Sequence, residues 1–166
     1  LAAAEKTLTI LKDTDALVRE MASDYEIIVC NDGSKDGTLK VLRDLEPTMP
    51  NLRVIDHPIN QGFGKTIREL YMAGKMDFIF SLPGDYQYAP KELIPMVGGL
   101  EKFDLIIGLR VKRNDPPRRR IQSHVYNFML RAIHGIKYRD VNSIKLFRRA
   151  IMDKIERGNI TGDRTD

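Results

Sequence analysis

Residues 25–38 read YEIIVCNDGSKDGT, and this stretch decides the fold. Residues 25–30 (YEIIVC) are a short apolar, β-branched run, the pattern of a buried strand. Asn31-Asp32-Gly33-Ser34-Lys35-Asp36-Gly37 then packs turn-forming residues together, and residues 38–45 read as a helix that ends before Pro47 and Pro50. A strand, a polar turn and a helix in immediate succession make one βα unit.

The same unit recurs in both directions along the chain. Residues 1–22 carry apolar positions at Leu8, Leu11, Ala16, Leu17 and Met21, close to helical spacing. Residues 52–56 form a second expected strand, and 64–73 a second crossover helix closed by Gly74. Residues 77–82 (DFIFSL) give a third strand, 90–100 a helix with proline in its first turn, and 104–109 a fourth strand. An amphipathic helix is expected over 119–134 and another over 148–155. Strands alternating with helices at this pace predict an α/β fold with a mostly parallel sheet flanked by helices.

The composition fits a globular domain. The 166 residues are 42% hydrophobic and 30% charged, and no apolar run approaches the roughly 20 residues of a membrane span. One cysteine, Cys30, excludes an intramolecular disulfide framework, and three dispersed histidines (His57, His124, His134) argue against a histidine-built metal centre. The net charge of +4 is concentrated: residues 110–120 hold six basic side chains against Asp115, a net of +5, so the remainder stands at −1. A near-neutral body with one basic loop suits phosphate groups; the loop lacks the interleaved aromatics that single-stranded nucleic acid binding would want.

In open α/β sheets, ligands sit outside the carboxyl ends of the strands. Three polar clusters fall there: residues 31–34, residues 83–87, and Arg110 onward. The first imitates a calcium loop, but that loop needs Glu at its twelfth position, where this chain has Arg43. Gly64-Lys65-Thr66 imitates a P-loop, but the leading glycine would fall on Ile59. What remains is a strand that delivers Asn31 and Asp32 to a turn. There they either meet the polar edge of a ligand or, more plainly, belong to a solvated turn in which Asp32 and Ser34 cap the next helix. In the second cluster, Asp85 and Gln87 lie two apart. Extended chain would point both side chains one way, toward a hard cation such as Mg2+ or Mn2+ that also takes phosphate oxygens from a substrate. An Asp85 that merely caps the helix near Pro90 is the plainer reading, and it leaves Gln87 without a role.

Residues 25–38, 60–74 (NQGFGKTIRELYMAG) and 77–90 (DFIFSLPGDYQYAP) resemble, in order, the signatures of family-two inverting glycosyltransferases. Residues 108–110, 119–127 and 140–149 (DVNSIKLFRR) are similar to the branch that moves a sugar onto polyprenyl phosphate, as dolichol-phosphate mannosyltransferases do. The resemblance implies a single catalytic domain of GT-A type over residues 1–166, with a nucleotide-sugar half over about 1–109 and an acceptor half over about 110–166. It implies a UDP- or GDP-linked sugar donor bound by Asn31, Asp32, Ser34, Asn60 and Asp85. It implies Mg2+ or Mn2+ on Asp85 and Gln87, and phosphate handling by Arg110, Arg119 and Ser123. Asp140 would stand near the sugar and acceptor, so that Asp85, Asp140 and Arg110 carry the transfer. The implied location is the cytoplasmic face of a membrane, with no nucleic acid partner.

Four departures from the family pattern stand out. The first strand ending in Pro-x-x-Asn-Glu is missing, and the chain opens without Met in a helix, so a fragment is expected. Its unpaired sheet edge would favour homo-oligomers. Pro83-Gly84-Asp85 carries one carboxylate where Asp-x-Asp carries two, Asn31 stands in place of an aspartate, and residues 140–145 are one residue short. Two alternatives follow: a non-catalytic or degenerate nucleotide-sugar-binding relative, and a nucleotidyltransferase of similar sheet architecture.

Overall fold

The computed structural model describes residues 3–108 and 143–156. Helix α1 (Ala3–Met21) leads into strand β1 (Ile27–Asp32), helix α2 (Thr38–Leu45), strand β2 (Leu52–His57) and helix α3 (Phe63–Ala73). Strand β3 (Phe78–Ser81) follows. Then come a 3-10 turn (Pro90–Leu93), the one-turn helix α4 (Ile94–Val97) and a second 3-10 turn (Gly98–Glu101). Strand β4 (Leu105–Ile107), strand β5 (Lys145–Arg148) and helix α5 (Ala150–Glu156) complete the described elements.

β1 and β2 pair in parallel, with Asn31 opposite Asp56 and Asp32 opposite His57. β5 lies between β3 and β4 and runs antiparallel to both. The expected α/β class holds, and the antiparallel insertion is a feature that the βα alternation did not predict. Residues 148–155, expected as helix, divide at Arg149: Arg148 ends β5 and α5 begins at Ala150. The backbone N–H of Arg149 donates to the Asp77 carbonyl at 2.8 Å, so the chain is still bonded to the head of β3 when it turns. The expected helix over 90–100 is instead broken into 3-10 and α turns, in a stretch holding Pro90, Pro95, Gly98 and Gly99.

Two apolar clusters form the core. One gathers Ile10 and Leu11 of α1 with Ile27, Leu42, Leu45, Met49 and Leu52; the other joins Leu93 and Met96 to Ile144 and Leu146. Val18 and Leu82 pack against both clusters, so α1 spans the two sheets. The buried face of α1 is Ile10 and Leu11 flanked by Leu8, Leu17 and Val18; Ala16 and Met21, expected inside, are exposed. Leu42 is fully enclosed, and its loss to alanine would cost about 2–5 kcal/mol. Among the described residues no helix is long and apolar enough to cross a membrane.

Candidate functional site at the strand ends

β1 ends in Asn31 and Asp32, whose side chains leave opposite faces of the strand. Asn31 is 3% exposed and donates from Nδ2 to Asp56 Oδ1 at 2.7 Å. Its Oδ1 is buried without a partner among the described residues. A buried acceptor left unpaired costs about 1–3 kcal/mol, which a donor N–H from a ligand would recover.

Asp32 is the hub of the cluster. Oδ1 accepts the backbone N–H of Gln61 at 2.7 Å, Oδ2 accepts that of Gly62 at 3.1 Å, and His57 Nδ1 lies 2.9 Å from Oδ1. The Gln61 N–H, followed by the His57 contact, holds this carboxyl below the usual carboxylate range. Asn60 joins the same knot: its Oδ1 accepts the Gly62 N–H at 2.9 Å. Gly33 is required here, since its φ is +70° and a Cβ would sit 2.5 Å from the Asn60 nitrogen. The turn after β1 is thus pressed onto the loop after β2. The helix-cap alternative falls to other atoms, because the Thr38 N–H donates to Asp36 Oδ1 at 3.0 Å and no side chain caps α2 at Gly37. Ser34 is exposed.

The turn after β3 is built differently. Asp85, Tyr86 and Gln87 are all exposed. Asp85 Oδ1 accepts the backbone N–H of Gln87 at 3.1 Å, and Tyr86 takes a φ of 60°. Extended chain, the premise for aligning Asp85 with Gln87, therefore does not hold. An aspartate that bonds the backbone two residues on closes a tight turn instead. Tyr86 donates its hydroxyl to Asp13 of α1, and Tyr88 reaches the buried Ser143 at 3.0 Å. Among the described residues no cluster of three His, Cys, Asp or Glu side chains gathers to hold a metal alone. One carboxylate and one amide on an open turn do fit Mg2+ or Mn2+ that takes its remaining ligands from substrate phosphates and water. Arg110, Arg119, Ser123 and Asp140 lie outside the described residues, as do the basic loop and the helix expected over 119–134.

One member of the first cluster escaped the sequence reading. His57 closes β2 with its ring between Asp32 and Glu69 of α3, whose Oε2 lies 2.8 Å from Nε2. Its partners stand 25 and 12 residues away, too far for any local motif. Strand pairing supplies the only sequence-level signal, by setting Asp32 opposite His57.

The model of the family described as "Glycosyl transferase family 2" matches residues 5–156, nearly the whole chain. The chain belongs to glycosyl transferase family 2. This family-2 chain is 30% identical over 152 residues to the undecaprenyl-phosphate 4-deoxy-4-formamido-L-arabinose transferase of Pseudomonas fluorescens, covering 87% of the chain and 43% of that relative. It is 30% identical over 137 residues to the dodecaprenyl-phosphate galacturonate synthase of Rhizobium johnstonii, covering 80% and 40%. The chain spans less than half the length of these curated relatives. The crystal structure of S. aureus TarS 1–349 superposes with a TM-score of 0.58 at 18% identity, over 94% of this chain and 47% of that one. The structural likeness confirms the α/β architecture expected of a family-2 domain.

Proposed function

We infer that the chain is the catalytic domain of a glycosyltransferase that passes a sugar from a UDP- or GDP-linked donor, with inversion, to a polyprenyl phosphate at the cytoplasmic face of a membrane. The observation that carries this reading is the family match from residue 5 to residue 156, which spans all three polar clusters. The relatives named for undecaprenyl- and dodecaprenyl-phosphate sugar transfer support the acceptor class.

In this reading, the buried Asn31 Oδ1 accepts an N–H of the donor's base. Asp32 serves chiefly as the clasp that holds the turn in shape, its oxygens being taken by Gln61, Gly62 and His57. Ser34 and Asn60 line the rim of the same pocket. Asp85 and Gln87 would hold Mg2+ or Mn2+, which when bound neutralises charge growing on the leaving diphosphate. Arg110, Arg119 and Ser123 handle the phosphates of donor and acceptor. A phosphate acceptor is already an anion and needs no base, so Asp140 serves to position it; toward a hydroxyl acceptor Asp140 would take the proton.

Incubation with nucleotide sugars and undecaprenyl phosphate, with Mn2+ or with EDTA, tests this reading. The expected product is a lipid-linked sugar of inverted anomeric configuration, formed only with the cation. A product of retained configuration, or equal yield in EDTA, would overturn the mechanism. Pro83, standing where a second carboxylate is usual, favours a second reading: a nucleotide-sugar-binding relative that does not turn over. Nucleotide binding without transfer to any polyprenyl phosphate would support it.

A further inference from the structure

His57 sits between two carboxylates and is only 11% exposed. Nδ1 lies 2.9 Å from Asp32 Oδ1, and Nε2 lies 2.8 Å from Glu69 Oε2. A neutral imidazole has a single N–H, so it can donate to one of these carboxylates and must turn a lone pair on the other. Only the imidazolium satisfies both contacts.

Among the described residues, the groups facing the ring come from two elements. β1 contributes Asp32 and Cys30, whose Sγ is 3.7 Å from Nδ1. Burial, ahead of the nearby carboxylates, pushes the Cys30 thiol up to about 11, so it stays neutral beside the ring. α3 contributes Glu69. The hydrogen bond to Asp32 leads in raising the proton affinity of His57, with Glu69 adding to it against a desolvation cost.

We propose that His57 is a positioning residue of the donor site, an imidazolium brace between the Asp32 turn and α3 whose deprotonation weakens nucleotide binding. The proposal rests on reading the turn after β1 as a wall of the nucleotide pocket. Two effects act in the same direction when the proton leaves. Two ion-paired hydrogen bonds become one hydrogen bond from an uncharged ring, with a lone pair left facing the other carboxylate, a weaker hold on the residue that clasps Gln61 and Gly62. The cluster of Asp32, His57 and Glu69 also goes from one net negative charge to two, which repels an arriving diphosphate. The sign is fixed by the raised affinity: the brace is complete below the ordinary histidine value of about 6.5 and is lost as pH rises through the higher native value.

The test combines two readouts on the chain between pH 5 and 9. Imidazole nitrogen NMR reports the protonation of His57, and calorimetry with UDP and GDP plus Mn2+ reports binding. Both ring nitrogens are expected to carry protons at pH 6.5, with a midpoint above it. Nucleotide affinity should fall by up to about tenfold per pH unit through the same midpoint. Glu69→Gln gives Nε2 an uncharged partner that can donate or accept, so it should lower the midpoint and flatten the binding profile. His57→Gln removes the titrating group and should abolish the dependence. A single-proton ring across the range, or an unchanged profile in Glu69→Gln, would overturn the brace while leaving the donor site standing. Silence toward both nucleotides at every pH would overturn the donor-site reading and the positioning role with it.

Discussion

The turns that leave β1 and β3 hold their acidic residues in opposite ways. Asp32 is locked by two backbone N–H groups and an imidazole, and its glycine neighbour is pressed against the next loop. Asp85 is exposed and, among the described residues, accepts from the backbone two residues on. Gly84 beside it has open space where a Cβ would go. The first turn is shaped by the protein before any ligand arrives. The second offers oxygens that a cation and its phosphates would have to organise. Pre-organisation at one wall and substrate-completed coordination at the other would suit the proposed donor site, which on that proposal releases a diphosphate after each transfer.

Substitutions can break this contrast, and the largest effect is expected at the exposed turn. Asp85→Asn should abolish cation-dependent nucleotide binding in calorimetry while moving the melting temperature little, since exposed substitutions stay within about 0.5 kcal/mol. Gly33→Ala should do the reverse, destabilising the fold by about 1–3 kcal/mol through strained backbone alone, with the clash against Asn60 adding to it. Gly84→Ala is the matched control, expected to unfold with the parent in a denaturant titration.

A third contrast is in pH. The Asp32 carboxyl is depressed in the native state, so its contribution to stability is present above the ordinary aspartate value of about 3.9 and disappears as pH falls through the native one. Asp32→Asn should therefore flatten the acid limb of the stability profile measured by thermal melts from pH 2 to 6. The smallest effect is expected for Tyr86→Phe. It removes the exposed hydroxyl bond to Asp13 and should cost under about 1 kcal/mol in equilibrium unfolding.

Local chemistry made much of this legible from sequence. The apolar run into Asn31-Asp32-Gly33 marked β1 and its turn, and α2 was readable to both ends because Pro47 bars its extension. The antiparallel β5 was not readable, because Ile144-Lys145-Leu146-Phe147 finds its place between β3 and β4 by pairing with residues far along the chain. The same distance hid His57: its ring acquires meaning only when β1, β2 and α3 come together. The alignment of Asp85 with Gln87 failed for a local reason, since Asp85 bonded its own backbone and bent the chain.

The central claim is a donor site completed by a cation at the turn after β3. Its most direct test is calorimetric titration of UDP and GDP into the chain with Mn2+, with EDTA, and into Asp85→Asn with Mn2+. Base-selective binding is expected in the first case and none in the other two. Binding of equal strength in EDTA or in Asp85→Asn, or no binding of either nucleotide with Mn2+, would contradict it.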